Sequence, residues 1–199
     1  LSELSKVCHW MNDMGFSPAT SGNYSLRGKD HFWISASGID KGKIGPDDFI
    51  KMSFDGTYPP GRKPSDEALL HSTLYSLDSS IGCVLHSHSI PLTVLSMANG
   101  NELVIEGLEM QKALTGTNSH EEAIRLKIID NNQDMNVLKK NLIKIWELKY
   151  AFILRGHGLY TWGRTIQEAK KHVEGLEFLF SCQLELKRIG NDQSNTLRY

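Results

Sequence analysis

The chain has 199 residues, and its 22 basic and 23 acidic side chains give a formal net charge of −1 at pH 7. A balance this even argues against a surface whose main function is to bind nucleic acid or to adsorb to a membrane. No run of about 18 apolar residues predicts a membrane span. The length predicts one domain over residues 1–199, large enough to bury a core without disulfide bonds.

The cysteines and the start of the chain bear on the cellular compartment. Cys8, Cys83 and Cys182 are widely spaced and odd in number, a pattern typical of free thiols in a reducing cytosol. No cationic segment followed by an apolar stretch predicts a secretory signal. We therefore expect a cytoplasmic protein.

The N-terminal part of the chain alternates between helical and strand-like patterns. Apolar residues at helical spacing predict an amphipathic helix over about the first 15 residues. Alternation of apolar and polar residues predicts a strand over residues 31–35. Ser65 is a favourable N-cap, and the acidic residues 66 and 67 suit a first helical turn, so we expect a helix to begin near Ser65.

The middle of the chain contains a short buried strand followed by a helix. The strand is predicted over residues 82–85 and leads directly into His86. Pro91 suits the first turn of the next helix, and Asn99 suits its end. A further strand is predicted over residues 125–129.

Helical and strand-like patterns also alternate in the C-terminal part of the chain. Asp134 is a predicted helix cap, and residues 150–154 form a buried strand. Capping-box spacing at Thr165 opens the longest helix, which is predicted to end at Gly190. Interleaved strands and helices indicate a layered α/β fold, although the pattern leaves the strand order open.

Histidines at the ends of two buried strands are candidate metal ligands. His86 and His88 are two residues apart, so strand alternation places both rings on one face. A catalytic zinc site uses three protein ligands, and His157, flanked by glycines after the strand at 150–154, is the best third ligand. Iron, cobalt or manganese also suit such a site. The pair alone is more typical of ordinary polar residues at a strand end, and the addition of His157 makes the two interpretations about equal. The remaining histidines are interpreted as surface or partly packed residues: His9, His31, His71, His120 and His172.

Two small-residue loops and two glutamates are further candidates. Loops at residues 22–23 and 37–38 expose backbone N–H groups that can bind phosphate, although plain turns are the simpler interpretation. Lys41 could add positive charge. Glu67 and Glu109 are candidate general bases beside a metal, although either alone is typical of a solvated helix surface.

In their order and spacing, these segments resemble the class II aldolase/adducin family of zinc-dependent sugar-phosphate enzymes. The matching segments lie between residues 19 and 190: Thr20-Ser21-Gly22-Asn23-x-Ser25-x-Arg27, Ser37-Gly38, Lys63-Pro64-Ser65-Asp66-Glu67, His86-Ser87-His88 and Arg155-Gly156-His157-Gly158. The resemblance implies a three-layer α/β/α sandwich around a central, mostly antiparallel sheet. It also implies a homotetramer with active sites at subunit interfaces.

The resemblance assigns roles to individual residues. It implies one zinc ion per subunit, held by His86, His88 and His157. Residues with an implied role in binding the sugar-phosphate substrate are Gly22, Asn23, Ser37, Gly38, Lys41, Ser65 and Glu67.

The family differs internally in its catalytic carboxylate. Its aldolases use a glutamate at the position of Glu67, whereas its dehydratases use one at the position of Glu109, and this chain has both. The segment around Glu109-Met110 and the C-terminal third favour a dehydratase with Glu109 as the acid/base. The alternatives are a zinc-dependent aldolase or epimerase, and an adducin-like interaction module without catalysis.

Overall fold

The computed structural model describes residues 1–196, and it describes side-chain environments for residues 1–190. This part of the chain forms five α-helices around eight β-strands. The helices are α1 (Ser2–Asp13), α2 (Ala68–Leu77), α3 (Ile90–Ala98), α4 (Met135–Lys144) and α5 (Ile166–Thr196). The strands are β1 (Asn23–Arg27), β2 (His31–Ser35), β3 (Phe49–Ser53), β4 (Cys83–Ser87), β5 (Glu102–Ile105), β6 (Ile124–Ile129), β7 (Ala151–Leu154) and β8 (Gly158–Gly163).

The strands form one sheet in the order β3-β2-β1-β4-β8-β7-β6-β5. Among the described residues, β6 and β7 pair in parallel and the other neighbours pair antiparallel. β4 therefore lies between β1 and β8, and the register places His86 directly between Asn23 of β1 and Tyr160 of β8. These three residues form one row across the middle of the sheet.

Helices cover both faces of the sheet. Val84 packs with the apolar side chains of α2 and α4, whereas its strand neighbours Cys83 and Leu85 pack with α1 and α5. Alternation along β7 divides in the same way, since Phe152 faces the first layer and Ile153 packs with α3 and α5. The predicted three-layer α/β/α sandwich with a mostly antiparallel sheet is confirmed.

Two predicted helix boundaries are wrong. α2 begins at Ala68 rather than near Ser65, whose hydroxyl instead accepts a hydrogen bond from the backbone of Glu67 in the preceding turn. α5 continues through Gly190, because a glycine costs a helix only about 1 kcal/mol and does not by itself end it. The prediction of one domain over residues 1–199 includes residues outside the described range. None of the helices within residues 1–196 combines the length and the apolar character needed to cross a membrane.

Candidate metal centre

The three candidate ligands meet at one end of β4. His86 is the penultimate residue of this strand and is fully buried, and His88 follows just beyond it. The backbone N–H of His88 donates to Phe16 O at 2.9 Å, which fixes the chain as it leaves the sheet. The Nε2 atom of His86 lies 3.0 Å from that of His88 and 3.3 Å from that of His157. The sequence prediction of a converging histidine triad therefore has the required geometry.

His157 reaches the other two rings because the turn between β7 and β8 is unusually tight. Gly156 has φ +62°, a backbone conformation that favours glycine. A Cβ on Gly158 would lie 2.2 Å from the backbone oxygen of Ser87, so this glycine permits β8 to approach β4 closely. The two glycines that flank His157 thus bring its ring to the end of β4.

Hydrogen bonds on the far side of the rings set their orientation. His86 Nδ1 lies 2.9 Å from the carbonyl oxygen of Leu159, so the ring nitrogen donates and the Nε2 atom keeps its lone pair. His157 Nδ1 faces Asn131 Oδ1 at 3.3 Å in the same manner. Burial lowers the pKa of His86 to about 4 and that of His88 to about 3, so both rings are neutral near pH 7.

This donor set fits a metal ion. The Nε2 lone pairs of His86 and His157 point towards each other, an arrangement that a cation between them stabilises. Candidate ligand atoms of the three histidines all lie within 4.8 Å of one another. Three imidazoles with room for a further ligand are the pattern of a catalytic rather than a purely structural zinc site.

Glu67 faces the triad from the N-terminal end of α2. Its carboxylate oxygens lie 3.2 Å from the Nε2 atoms of His86 and His157. Asn23 Nδ2 and the hydroxyl of Tyr160 donate to Oε2 at 2.7 and 2.8 Å. Burial alone would raise the pKa of Glu67, but the positive charge that the rings of His86 and His157 carry in their protonated forms and these two hydrogen bonds lower it to about 2. The carboxylate is therefore a fixed negative charge beside the metal centre.

A cavity of about 430 Å³ opens beside the triad. His88 and His157 line it together with every residue to which the resemblance gave a substrate role: Gly22, Asn23, Ser37, Gly38, Lys41, Ser65 and Glu67. Ser21 also lines the cavity, and its hydroxyl is buried without a hydrogen-bond partner among the described residues. A larger cavity, about 990 Å³, lies against β6 and the segment before β7, and none of these residues lines it.

Lys41 links the two small-residue loops. It is 2% exposed, and its ammonium group donates to the backbone oxygens of Thr20 and Ile39, each at 2.9 Å. Burial lowers the pKa of this ammonium group. The lysine thus holds the loops at Gly22 and Gly38 together and brings a positive charge close to the cavity.

Glu109 lies elsewhere on the described chain. It begins a short 3-10 helix, Glu109–Ala113, and its side chain is 72% exposed. Its partners are Lys112 at 2.7 Å and His120 at 3.5 Å, and the hydrogen bond from Lys112 lowers its pKa. Within one chain, the fold does not bring Glu109 into the cavity that contains the triad.

Two residues of the site had no role in the sequence analysis. Tyr160 donates to Glu67, and its ring stacks on His86 with centroids 4.1 Å apart. His71 is fully buried and contacts Asn23. His71 is four residues from Glu67, so both lie on one side of α2, and this spacing is the feature of the sequence that could have identified it. Tyr160 gave no comparable signal, because its strand was not predicted.

The chain matches a family model that is described as the class II aldolase and adducin N-terminal domain, and the match covers residues 2–184. The chain belongs to this family. It is 45% identical over 201 residues to a methylthioribulose-1-phosphate dehydratase of Yersinia pseudotuberculosis, covering 98% of this chain and 90% of that protein. A methylthioribulose-1-phosphate dehydratase of Citrobacter koseri is 43% identical, with 95% and 96% covered.

Solved structures share the fold at lower sequence identity. The l-fuculose-1-phosphate aldolase of Thermus thermophilus superposes with a TM-score of 0.79 at 22% identity, covering 95% of each chain. An aldolase II superfamily protein of Pseudomonas syringae gives a TM-score of 0.80 at 23% identity, covering 96% of this chain and 77% of the other. These likenesses support the fold alone.

Proposed function

We propose that this protein is a methylthioribulose-1-phosphate dehydratase. It removes water from 5-methylthioribulose 1-phosphate and yields 2,3-diketo-5-methylthiopentyl 1-phosphate, a step of methionine salvage. The observation that carries the proposal is the identity of 43–45% to dehydratases of this name along nearly the whole chain. The geometry contributes a metal centre next to a cavity with the features of an anion site.

The proposed metal is one zinc ion per subunit, bound by His86, His88 and His157. Such an ion would act as a Lewis acid on the substrate carbonyl. The loops at Gly22 and Gly38 would bind the phosphate with their backbone N–H groups and the free Ser21 hydroxyl, with the charge of Lys41 nearby. Binding energy from the phosphate would then position the reacting carbons at the triad.

We assign the proton transfers to Glu109. In the proposed reaction its carboxylate removes the proton from C3 and returns it to the departing C4 hydroxyl, which leaves as water. The resulting enol between C3 and C4 then ketonises to the 2,3-diketone, losing the proton of the C3 hydroxyl and gaining one at C4. Glu67 is a weak base by comparison, because its carboxylate already accepts two hydrogen bonds and its pKa is lowered to about 2. Its proposed role is to contact the substrate and to balance the charge of the metal.

This assignment requires a second copy of the chain, because Glu109 of the same chain lies outside the cavity. The exposed apolar residues next to the site support an oligomer. Ile90, Val94 and Met97 follow one face of α3, the helix that begins just after His88, and they are 79%, 45% and 65% exposed. Met110, beside Glu109, is 40% exposed. We propose a homotetramer in which one subunit supplies Glu109 to the metal centre of another.

A zinc-dependent aldolase is the second candidate, and the position of Glu67 favours it. An aldolase of this family would use that glutamate, which lies 3.2 Å from two triad nitrogens. The two activities break different bonds of the same molecule. The dehydratase breaks a C–O bond and keeps the carbon chain, whereas the aldolase cleaves a C–C bond.

The deciding experiment incubates the zinc-loaded protein with 5-methylthioribulose 1-phosphate and follows the products by mass spectrometry. Loss of one water from an intact carbon chain supports the dehydratase. Formation of dihydroxyacetone phosphate and a methylthio-aldehyde would instead establish the aldolase. An unchanged substrate, with stoichiometric zinc present, would overturn both assignments.

A further inference from the structure

A line of buried hydrogen bonds leads from Glu67 away from the metal centre. Asn23 Nδ2 donates to Glu67 Oε2 at 2.7 Å, and Asn23 Oδ1 lies 2.5 Å from His71 Nε2. The other ring nitrogen of His71 lies 2.7 Å from the hydroxyl of Ser25. Ser25 in turn lies 2.7 Å from the hydroxyl of Tyr75.

Secondary structure explains why these groups meet. Glu67, His71 and Tyr75 are spaced by four residues, so they lie on one side of α2. Asn23 and Ser25 are two apart on β1 and share one face of the sheet. The side chains of α2 and β1 alternate where the helix packs on the strand. Each of the two strand residues therefore forms hydrogen bonds with two residues of the helix side.

The amide of Asn23 fixes the direction of the bonds in the line. Its NH₂ group donates to Glu67 Oε2, and its oxygen, which only accepts, faces His71 Nε2. His71 must then donate from Nε2. Burial lowers the pKa of His71 to about 3, so the ring is neutral and Nδ1 carries no proton. Ser25 therefore donates to Nδ1, and Tyr75 donates to Ser25.

We propose that His71 is a positioning residue for Glu67, and that its Nε2–H tautomer holds the Asn23 amide in the one orientation that binds the carboxylate. This inference rests on the proposed function and adds a residue to it. Tyr160 is the second donor to Oε2. With both donors on Oε2, the other oxygen of Glu67 stays directed to His157 and the metal centre.

Loss of the His71 donor changes the site without touching a metal ligand. The Asn23 oxygen would be left buried without its donor, which is an unfavourable state for a polar atom. The amide could then turn, and its oxygen would face the Glu67 carboxylate and repel it. The negative charge beside the metal would lose its fixed position, although the triad and the phosphate loops would remain.

The first test compares three variants of the full-length zinc-loaded protein. His71→Leu removes both ring nitrogens, whereas His71→Gln keeps an N–H donor near the position of Nε2. Ser72→Ala is the matched control, because Ser72 is a buried residue of the same helix whose hydroxyl donates to Leu69 O, outside this line. We expect His71→Leu to lower kcat ~10- to 100-fold with little change in KM and with zinc retained.

The conservative variant separates positioning from packing. His71→Gln should recover most of the lost kcat, and Ser72→Ala should match the wild type. A fully active His71→Leu would overturn the inference, and so would a glutamine variant as impaired as the leucine variant while equally well folded. Thermal unfolding of each variant checks that the comparison is made on folded protein.

The second test needs no turnover. In wild-type protein containing isotope-labelled histidine, the nitrogen chemical shifts of His71 should show a protonated Nε2 and an unprotonated Nδ1 at pH 7. His71→Gln identifies the signals by removing them. The opposite tautomer, or a cationic ring, would overturn the inference. If the wild-type protein fails to dehydrate 5-methylthioribulose 1-phosphate, the proposed function is wrong. The nitrogen chemical shifts would still show which tautomer His71 adopts.

Discussion

Two carboxyl groups lie on opposite faces of β4, that of Glu67 partly exposed and that of Glu177 buried, and their surroundings differ. Glu67 approaches from the side of α2 and meets His86, Asn23 and Tyr160. Glu177 of α5 approaches from the other side, where the hydroxyl of Ser87 donates to its Oε1 at 3.2 Å. Its Oε2 is buried and has no hydrogen-bond partner among the described residues. Adjacent residues of one strand, His86 and Ser87, thus face two different environments.

The comparison teaches that partners, rather than burial alone, decide the charge of a carboxyl group. Burial raises the pKa of Glu177 to about 7, since hydroxyl groups of Ser89 and Ser87 only partly oppose it. Burial acts on Glu67 in the same direction, but histidine rings and two strong donors outweigh it and lower its pKa to about 2. Glu67, on the face with the histidine triad, therefore keeps its charge at neutral pH, whereas Glu177 on the opposite face gains a proton as the pH falls through about 7.

The largest effect is expected when the face with the metal centre loses a ligand. His88→Ala should lose zinc and activity together, with turnover reduced at least ~1,000-fold, because several kcal/mol of electrophilic stabilisation disappear. Metal analysis of the purified protein and the rate of dehydration measure both effects. His31→Ala, which changes a histidine on β2 paired with Asp30, is the control. A variant that is free of metal and fully active would contradict the triad.

Glu109→Gln tests which glutamate transfers protons. If Glu67 serves mainly as a fixed charge, the glutamine variant of Glu109 should retain zinc and lose ~100-fold or more in kcat. Glu106→Gln, an exposed glutamate three residues earlier, is the matched control. Steady-state kinetics with parallel metal analysis provide the measurement. Our assignment is wrong if Glu67→Gln is severely impaired while Glu109→Gln keeps wild-type turnover.

Glu177→Gln tests the opposite face of β4 through its effect on stability. A carboxyl pKa raised from 4.5 to about 7 in the fold means that the folded chain loses stability as pH rises through this interval. The full penalty, reached above pH 7, is at most about 3 kcal/mol. The variant should therefore be more stable than the wild type at pH 8 and nearly equal to it at pH 4.5.

Denaturant unfolding at the two pH values measures this difference. Glu174→Gln changes an exposed glutamate of the same helix and should show no such dependence on pH. If the two substitutions change the free energy of unfolding equally at pH 8, then burial does not raise the pKa of Glu177.

The smallest effect is expected from Ser87→Ala. The substitution removes the hydroxyl that donates to Glu177 and leaves His86 and His88 in place. We expect the free energy of unfolding to fall by about 1 kcal/mol and the zinc affinity to stay within about threefold of wild type. Isothermal titration with zinc checks the second value. A large loss of metal would show that the two faces of β4 are coupled.

Much of the fold was predictable because its elements carry local patterns. The helices α1, α3 and α4 and the strand β2 are where periodicity and capping residues place them. The strand β8 was missed, since its sequence begins and ends with glycine and follows a loop, although all six of its residues are buried. Its place beside β4 depends on contacts with residues far away in the chain.

The site was predictable to a similar extent. Strand alternation alone pairs His86 with His88, but the position of His157 depends on the approach of β8 to β4. The flanking glycines made His157 a candidate third ligand, and the family resemblance then implied that role. The roles of Asn23 and His71 depend on the packing of α2 against β1, which no local pattern encodes. The role given to Glu109 depends on a second subunit and stays a prediction.

The row formed by Asn23, His86 and Tyr160 also limits how this protein can evolve. All three contact Glu67 or lie beside it. They do so because the register of β1, β4 and β8 places them directly opposite one another. Insertion of one residue into β1 or β8 would turn the following side chains to the opposite face of the sheet. Such a chain would keep the backbone hydrogen bonds of the sheet, but the side chains that contact Glu67 would no longer face it. We therefore expect insertions to be tolerated in surface loops and to abolish activity when they fall within these strands.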